Sequence, residues 1–277
     1  MSRLAAIRHR PFDANPERPA FPGLTDLFAE RLAAYGVPVD HDGPLIGNRN
    51  SYARMSEQLL PDLTAGAGPD LVVLAHCLPD CDLSTSVAGY LEQQIGGQPL
   101  VFAVTEQGRT TPFAALRVAQ DLLRVGGRER IAVLVLDQAT LVYADPALDG
   151  IDRDTDHAVG LLLTRDAPIR IGPVHQFTGV DADRVVGALE AELDRLRLPG
   201  DTTLIAGAAV PAVRHPYRRR TAAPQRMCTG VWVELAAELS GPAGAGPRTV
   251  LATEYEPDLG YLSLAVFEVP PDEGAAR

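Results

Sequence analysis

The sequence contains no lysine, and all 25 of its basic residues are arginine. A Schiff-base lysine is therefore excluded as a catalytic group. The chain also lacks an apolar run of about 18 residues, which a membrane-spanning helix needs, and arginine and proline interrupt its N-terminal segment where a signal peptide would be apolar. We therefore expect a cytoplasmic protein that does not act at a membrane.

Cysteine is also scarce, with Cys77, Cys81 and Cys228 the only three. An odd number in a chain of this length argues against a disulfide framework and fits a reducing compartment. His76, Cys77 and Cys81 lie close together, but no second pair of Cys or His residues follows them at the spacing of a zinc site. The sequence therefore predicts no metal site, and it favours Cys77 and Cys228 as core residues.

The net charge is −11, which disfavours nucleic acid as a partner because binding to the phosphate backbone needs a broad basic surface. The length of 277 residues and the hydrophobic content of 46% are sufficient for one large core. We expect a single domain over residues 1–277, with residues 271–277 as a disordered tail.

Apolar segments rich in β-branched residues alternate with amphipathic ones. The predicted strands are 70–75, 100–104, 130–136, 158–164, 203–209, 249–253 and 261–269. The predicted helices are 84–95, with Ser84 as its N-cap, 112–125 and 181–198. Strands separated by single helices indicate an α/β fold with several parallel neighbours.

One segment carries a family resemblance. Residues 70–104, DLVVLAHCLPDCDLSTSVAGYLEQQIGGQPLVFAV, are similar to the part of 3-oxoacyl-acyl-carrier-protein synthase III that precedes its nucleophile. The next residues, TEQGRTTPFAAL, resemble the tight bend of that family leading into a buried helix. Later segments, DHAVGLLLTR, LIAGAAVP and MCTGVWVELAAEL, continue the likeness, which spans roughly residues 45 to 269.

The resemblance implies the fold of the thiolase superfamily, in which α/β/α/β/α layers form two related halves. Half one would cover about 1–165 and half two about 166–270. The region between Thr164 and Asp181 is short relative to the family, and the substrate-tunnel insertion is missing. The resemblance also implies dimerisation through the strand 100–104.

The catalytic residues of the family are absent at the matched positions. Condensation there needs a cysteine thiolate, a histidine and an asparagine. Gln107 or Arg109 stands at the nucleophile position, depending on the alignment, while Gly207 replaces the histidine and Cys228 the asparagine. Loss of the whole set points away from condensation.

Two candidate nucleophiles remain. The family loop that matches residues 76–83 reaches towards a partner subunit, so Cys81 is a candidate, with His76 as its basic neighbour; the alternative is a small interfacial hydrophobe. Thr110, activated by His76 or His157, is the second candidate; the alternative is a hydroxyl that caps the helix starting near Pro112.

An arginine-rich run, RHPYRRRTAAPQR, follows the strand that borders the tunnel mouth in the resembled family. Arginine makes bidentate contacts with phosphate and carboxylate. Arg214, Arg218, Arg219 and Arg220 are therefore predicted to dock coenzyme A, phosphopantetheine or an acyl carrier protein. The alternative is a solvated surface loop.

These observations favour a non-elongating partner subunit or acyl-handling component of secondary metabolism. It would have no tightly bound cofactor and would take acyl-coenzyme A or a phosphopantetheine-linked acyl group as its ligand. Its partner would be a second copy or a catalytically complete synthase. The alternatives are an acyltransferase or thioester-using synthase with a relocated nucleophile, and a small-molecule binding module. The inactive interpretation requires that folding brings no cysteine to the bend around Gly108.

Overall fold

The computed structural model describes residues 2–15, 24–37, 48–82, 84–97, 99–140, 150–152, 154–241 and 246–271. Its helices are α1 Leu24–Ala33, α2 Tyr52–Thr64, α3 Val87–Ile95, α4 Thr111–Val125, α5 Val185–Leu196 and α6 Gly230–Ser240. Its strands are β1 Arg3–Phe12, β2 Leu71–His76, β3 Leu100–Val104, β4 Ile131–Asp137, β5 Asp156–Thr164, β6 Ile169–Ile171, β7 His175–Phe177, β8 Thr203–Ala206, β9 Arg218–Thr221, β10 Arg248–Glu256 and β11 Tyr261–Val269. None of the helices in these ranges is both long and apolar enough to cross a membrane.

The strands within the described residues join one 11-stranded sheet, in which the two halves of the chain repeat the same order. The first half is arranged β3-β2-β4-β5-β1, and the second β9-β8-β10-β11-β6, with β7 also paired to β11. In each half the first three strands are parallel, and β5 or β11 is antiparallel to both of its neighbours. The halves meet where β1 pairs with β6.

Buried side chains divide the molecule into layers. Leu59 of α2 and Leu91 of α3 cover the outer face of the first half of the sheet. Phe113 of α4 and Trp232 of α6 lie between the two halves, with ring centroids 5.0 Å apart. Leu189 of α5 covers the outer face of the second half. The predicted α/β/α/β/α arrangement of two related halves is therefore confirmed.

The seven predicted strands and three predicted helices are present, with some ends shifted. The helix predicted to begin at Ser84 begins instead at Val87. The reason is that Ser86 caps it, since its Oγ accepts the Gly89 N–H at 3.3 Å, whereas the Ser84 hydroxyl donates to Asp82. Residues 272–277 of the predicted tail lie outside the described residues.

Candidate functional site

The loop between β3 and α4 makes the predicted tight bend. Glu106 and Gly108 both adopt left-handed backbone angles, with φ of 67° and 51°, and the 3₁₀ turn Gly108–Thr110 leads directly into α4. Thr110 and Thr111 are fully buried, so the N-terminus of α4 lies inside the molecule. A buried helix N-terminus presents free N–H groups and a partial positive charge, which together stabilise an anion.

The threonine hydroxyls at this bend are bonded within the turn. Thr110 Oγ1 donates to the Gln107 carbonyl at 2.7 Å, and Thr111 Oγ1 donates to the Gly108 carbonyl at 2.8 Å. The predicted activating residue His76 is engaged elsewhere, because its Nδ1–H donates to the carbonyl of Leu78 at 2.7 Å. The geometry thus places Thr110 as a structural residue of the turn.

The helices α4 and α6, which lie between the two halves, are the central helices. A carboxylate from the opposite half caps the N-terminus of each. Glu256, at the end of β10, accepts the Arg109 N–H at 2.9 Å. Asp137, at the end of β4, accepts the N–H groups of Cys228 at 3.1 Å and Thr229 at 2.8 Å. Since β4 and β10 occupy equivalent places in the two halves, the internal duplication relates these two caps. Both helix N-termini are therefore capped by an acidic side chain of the protein itself.

Position 207, where the resemblance places the histidine, is a buried glycine whose side-chain space is taken by Glu254. A Cβ atom at 207 would lie 1.8 Å from Glu254 Oε1. Glu254 is only 3% exposed, and this burial raises its pKa to about 8, although the charge of Arg109 opposes the shift. Glu254 is therefore mostly protonated at neutral pH, and a side chain at 207 would require Glu254 to move.

Arg109, one of the two residues predicted at the nucleophile position, lies in the 3₁₀ turn rather than at the first residue of α4. Its guanidinium donates to the carbonyl of Arg226 at 2.7 Å and to that of Pro224 at 3.4 Å. Gln107 immediately precedes the turn. Neither side chain supplies a thioester-forming group.

Two cysteines meet beside the bend. Cys228 is buried, as predicted, in the central cluster, the apolar cluster that contains Phe113 and Trp232. Its Sγ lies 3.0 Å from Asp137 Oδ1. The half-buried Cys77 follows β2, and its thiol donates to the Gly108 carbonyl at 3.0 Å. Folding therefore brings a cysteine to the bend, and the inactive interpretation loses the condition on which it depended. The environment of this thiol now decides between an inactive and an active site.

The environment of Cys77 favours the neutral thiol. The hydrogen bond from Cys228 favours the thiolate, but burial and the carboxylates of Asp137 and Glu256 outweigh it and raise the pKa of Cys77. The His76 ring packs against Tyr52 in a tilted arrangement, with ring centroids 4.7 Å apart, in the layer of α2. Cys77 packs against the central cluster on the other face of the sheet. His76 thus cannot act as its base.

Cys81, the predicted nucleophile, lies in an acidic loop. Burial, followed by the charges of Asp80 and Asp156, raises the pKa of its thiol. Asp80 accepts the N–H of Tyr52 at 3.1 Å and so anchors this loop to the start of α2. A protonated thiol among carboxylates is a weak nucleophile, and the assignment of Cys81 stays a prediction.

The four arginines predicted for docking contact acceptors within the chain. Arg214 bonds Glu190 at 2.9 Å, Arg218 bonds Glu238 at 2.6 Å, Arg220 bonds Glu234 at 2.6 Å, and Arg219 bonds the carbonyls of Val210 and Pro211 at 2.6 and 2.8 Å. The run is not a loop throughout, because Arg218–Thr221 form the edge strand β9. The Arg214 and Arg218 side chains are 80% and 60% exposed, so docking stays a prediction.

Three carboxylates of this site were not predicted from the sequence: Asp137, Glu254 and Glu256. A signal for two of them exists in the segment Glu254-Tyr255-Glu256, where alternate glutamates in a strand point to one face. Tyr255 faces the layer of α5, so both glutamates face the central helices. Glutamates on the buried side of an apolar strand indicate a special site rather than a solvated face.

The architecture is shared with solved structures over nearly the whole chain. AbyA1, a tetronic acid condensing enzyme, is 16% identical, with a TM-score of 0.63 over 97% of this chain and 100% of the other. ChlB3, an acyltransferase, is 16% identical, with a TM-score of 0.62 over 98% of each chain. OleA from Xanthomonas campestris is 13% identical, with a TM-score of 0.62 over 96% of each chain. No protein-family model matches the sequence, and no curated protein matches it.

The chain shares the fold of these three proteins, the thiolase-like α/β/α/β/α fold that the sequence resemblance predicted. At this level of identity the likeness establishes the fold and not an activity. Within that fold, the centre of this chain has two cysteines and three carboxylates around the two helix N-termini.

Proposed function

We propose that this protein is a non-elongating component of a secondary-metabolite pathway of the polyketide or fatty-acyl type, which assists acyl transfer or chain building without condensing acyl groups itself. The observation that carries the proposal is Glu254 filling the space at Gly207, where a condensing histidine would stand. The caps from Glu256 and Asp137 support it, because the N–H groups that donate to these carboxylates cannot also stabilise the oxyanion formed from a thioester.

A thioester-linked acyl group is the ligand class that fits this proposal, carried on coenzyme A or on the phosphopantetheine arm of a carrier protein. The similar folds of a condensing enzyme and an acyltransferase support this choice. Arg214 and Arg218, whose side chains stay largely exposed while paired to glutamates, are the proposed contacts for a carrier protein.

One observation favours a second candidate function. Because Cys77 lies at the bend, an acyltransferase that uses this thiol is a specific alternative, with Cys77 in place of the predicted Cys81 or Thr110. Such an enzyme would need a base for the thiol, and the groups nearest to Cys77 are a second thiol and carboxylates.

Intact-mass measurement separates the two functions. After incubation with acyl-coenzyme A or an acyl carrier protein, the wild-type chain is expected to carry no acyl adduct, because its thiols are protonated and Thr110 is bonded within the turn. Cys77→Ser and Cys81→Ala serve as matched variants. An adduct that persists in Cys81→Ala and disappears in Cys77→Ser would contradict the non-elongating function and establish the enzyme.

The edge strand β3 is the proposed subunit interface. It pairs only with β2 within the described residues, and its sequence, LVFAV, has neither charge nor proline. An apolar, unprotected edge strand is prone to pair with another chain. The opposite edge, β9, carries three arginines, and charged side chains on an edge strand oppose pairing with another chain. The contrast supports pairing through β3, either with a second copy or with a complete synthase.

Ala103→Arg is expected to weaken this association by at least about tenfold, because it adds a desolvated charge to the middle of the exposed edge. Light scattering after gel filtration, with and without a synthase from the same pathway, measures the effect. Val186→Arg is the matched control, since Val186 is a 43% exposed valine on α5. If the wild type stays monomeric with every synthase tested, or if both variants weaken association equally, β3 is not the interface.

A further inference from the structure

The thiols of Cys77 and Cys228 and the carboxylate of Asp137 converge at one point between the central helices. One ligand atom from each lies within 4.8 Å of the other two. In a tetrahedral zinc site, with Zn–S near 2.3 Å and Zn–O near 2.0 Å, the ligand atoms are about 3.5 to 3.8 Å apart. The Cys228 Sγ and Asp137 Oδ1 atoms, 3.0 Å apart, would have to separate by about 0.5 Å, and no pair would have to approach by more than about 1.3 Å to hold one ion.

We propose that Cys77, Cys228 and Asp137 bind a thiophilic divalent cation, Zn²⁺, at the centre of this fold. Two thiolates and one carboxylate are a ligand set suited to zinc, and three protein ligands leave a fourth position open to water or to an incoming thiol. The sequence predicts no metal site because these ligands come from three separate segments and show no zinc-type spacing.

Rigid elements hold the three ligands. Cys77 and Asp137 lie at the carboxyl ends of the paired parallel strands β2 and β4, whose register places His76 opposite Leu136. Cys228 lies just before the N-terminus of α6. Ligands fixed by paired strands and a helix start need little rearrangement to bind an ion.

The surroundings of the carboxylate match those of a metal ligand. Asp137 Oδ2 accepts the N–H of Thr229 at 2.8 Å and its hydroxyl at 2.6 Å. Oδ1 accepts the Cys228 N–H at 3.1 Å and lies 3.0 Å from the Cys228 sulfur. Outer hydrogen bonds of this kind orient metal-binding carboxylates.

The charges that the three ligands would carry also suit a divalent cation. In the structure the Cys77 thiol donates to the Gly108 carbonyl at 3.0 Å, and the Cys228 thiol to Asp137 Oδ1 at 3.0 Å. Binding of Zn²⁺ would release both protons and bring the ligand charge of −3 to a net −1. The N-terminus of α6 stabilises such a residual negative charge.

The test uses the full-length chain, reduced and stripped of metal, and titrated with Co²⁺ as a spectroscopic substitute for Zn²⁺. One ion per chain is expected, with a thiolate-to-cobalt charge-transfer band, release of two protons and displacement by Zn²⁺. Cys77→Ser and Cys228→Ser should each weaken binding by more than about 100-fold, since even outer-shell changes cost about 10- to 100-fold. Cys81→Ser, the third cysteine, should bind as the wild type does.

A second measurement needs no variant and therefore does not depend on how Cys228→Ser folds. In the wild type, Zn²⁺ should protect Cys77 from alkylation while leaving the reactivity of Cys81 unchanged, as peptide mapping would show. The proposal is overturned if the charge-transfer band is absent, if it is lost equally in Cys81→Ser, or if Zn²⁺ leaves the alkylation of Cys77 unchanged.

Discussion

The variant Gly207→His is expected to lose at least about 3 kcal/mol of unfolding free energy, and removal of the Glu254 side chain is expected to restore much of it. A Cβ at position 207 would lie 1.8 Å from Glu254 Oε1 and 2.2 Å from its Cδ. Real Cβ atoms do not approach so closely, so the buried Glu254 side chain would have to move. The histidine of a condensing enzyme and this glutamate would therefore compete for the same space.

A double-mutant cycle measured by urea denaturation checks this result. Gly207→His in the Glu254→Ala background should cost less than in the wild type, by about 2 kcal/mol or more of coupling. Gly187→His on α5 is the control, because a Cβ there meets nothing within 4 Å, and it should change stability little. Equal costs of Gly207→His with and without Glu254 would show that the glutamate does not exclude the histidine.

The second large effect concerns the pH dependence of stability. The pKa of Glu254 is raised from 4.5 to about 8 in the folded protein, chiefly by burial. Below the lower value, both the folded and the unfolded chain hold this proton. Between the two values only the folded chain holds it, so stability falls as the pH rises, by about 1.4 kcal/mol per pH unit for this group. Above about 8 both forms are ionised and the decline ends.

Glu254→Gln removes this dependence. Between pH 5 and pH 8 the variant should gain roughly 4 kcal/mol of stability relative to the wild type, measured by urea denaturation across that range. Asp80 and Asp156, whose pKa values burial raises to about 6, contribute to the slope of both proteins and cancel in the difference. Glu92→Gln, an exposed change on α3, is the control. Parallel profiles for Glu254→Gln and the wild type would place the Glu254 carboxylate in contact with water.

Most of the sheet was predictable because its strands are apolar runs, but β1 was not. It lies in the middle of the sheet between β5 and β6, yet its sequence, RLAAIRHRPF, is interrupted by arginines. Their guanidinium groups reach carbonyl oxygens around the strand; for example, Arg3 donates to Ala167 at 3.2 Å and Arg10 to Gln58 at 3.3 Å. Long side chains that carry their charge away from a strand hide its burial from a hydropathy pattern.

The centre of the site was predictable only in part. The bend and the buried α4 follow from the local sequence, because glycine, threonine and proline occur there in the order that a turn and a helix start require. The contact between Cys77 and Gly108 joins the ends of two different strands, and that between Asp137 and Cys228 joins the two halves of the chain. Spacing along the chain carries no information about such contacts, so Cys77 was assigned to the core.

The reciprocal caps from Asp137 and Glu256 make the two halves of the chain depend on each other for folding. Cutting the chain after Thr164 would separate Asp137 from α6 and Glu256 from α4. Both carboxylates would lose their N–H donors, and both helix N-termini would lose their caps. Each half alone is therefore expected to be less stable than the intact chain, because each supplies a cap that the other half needs.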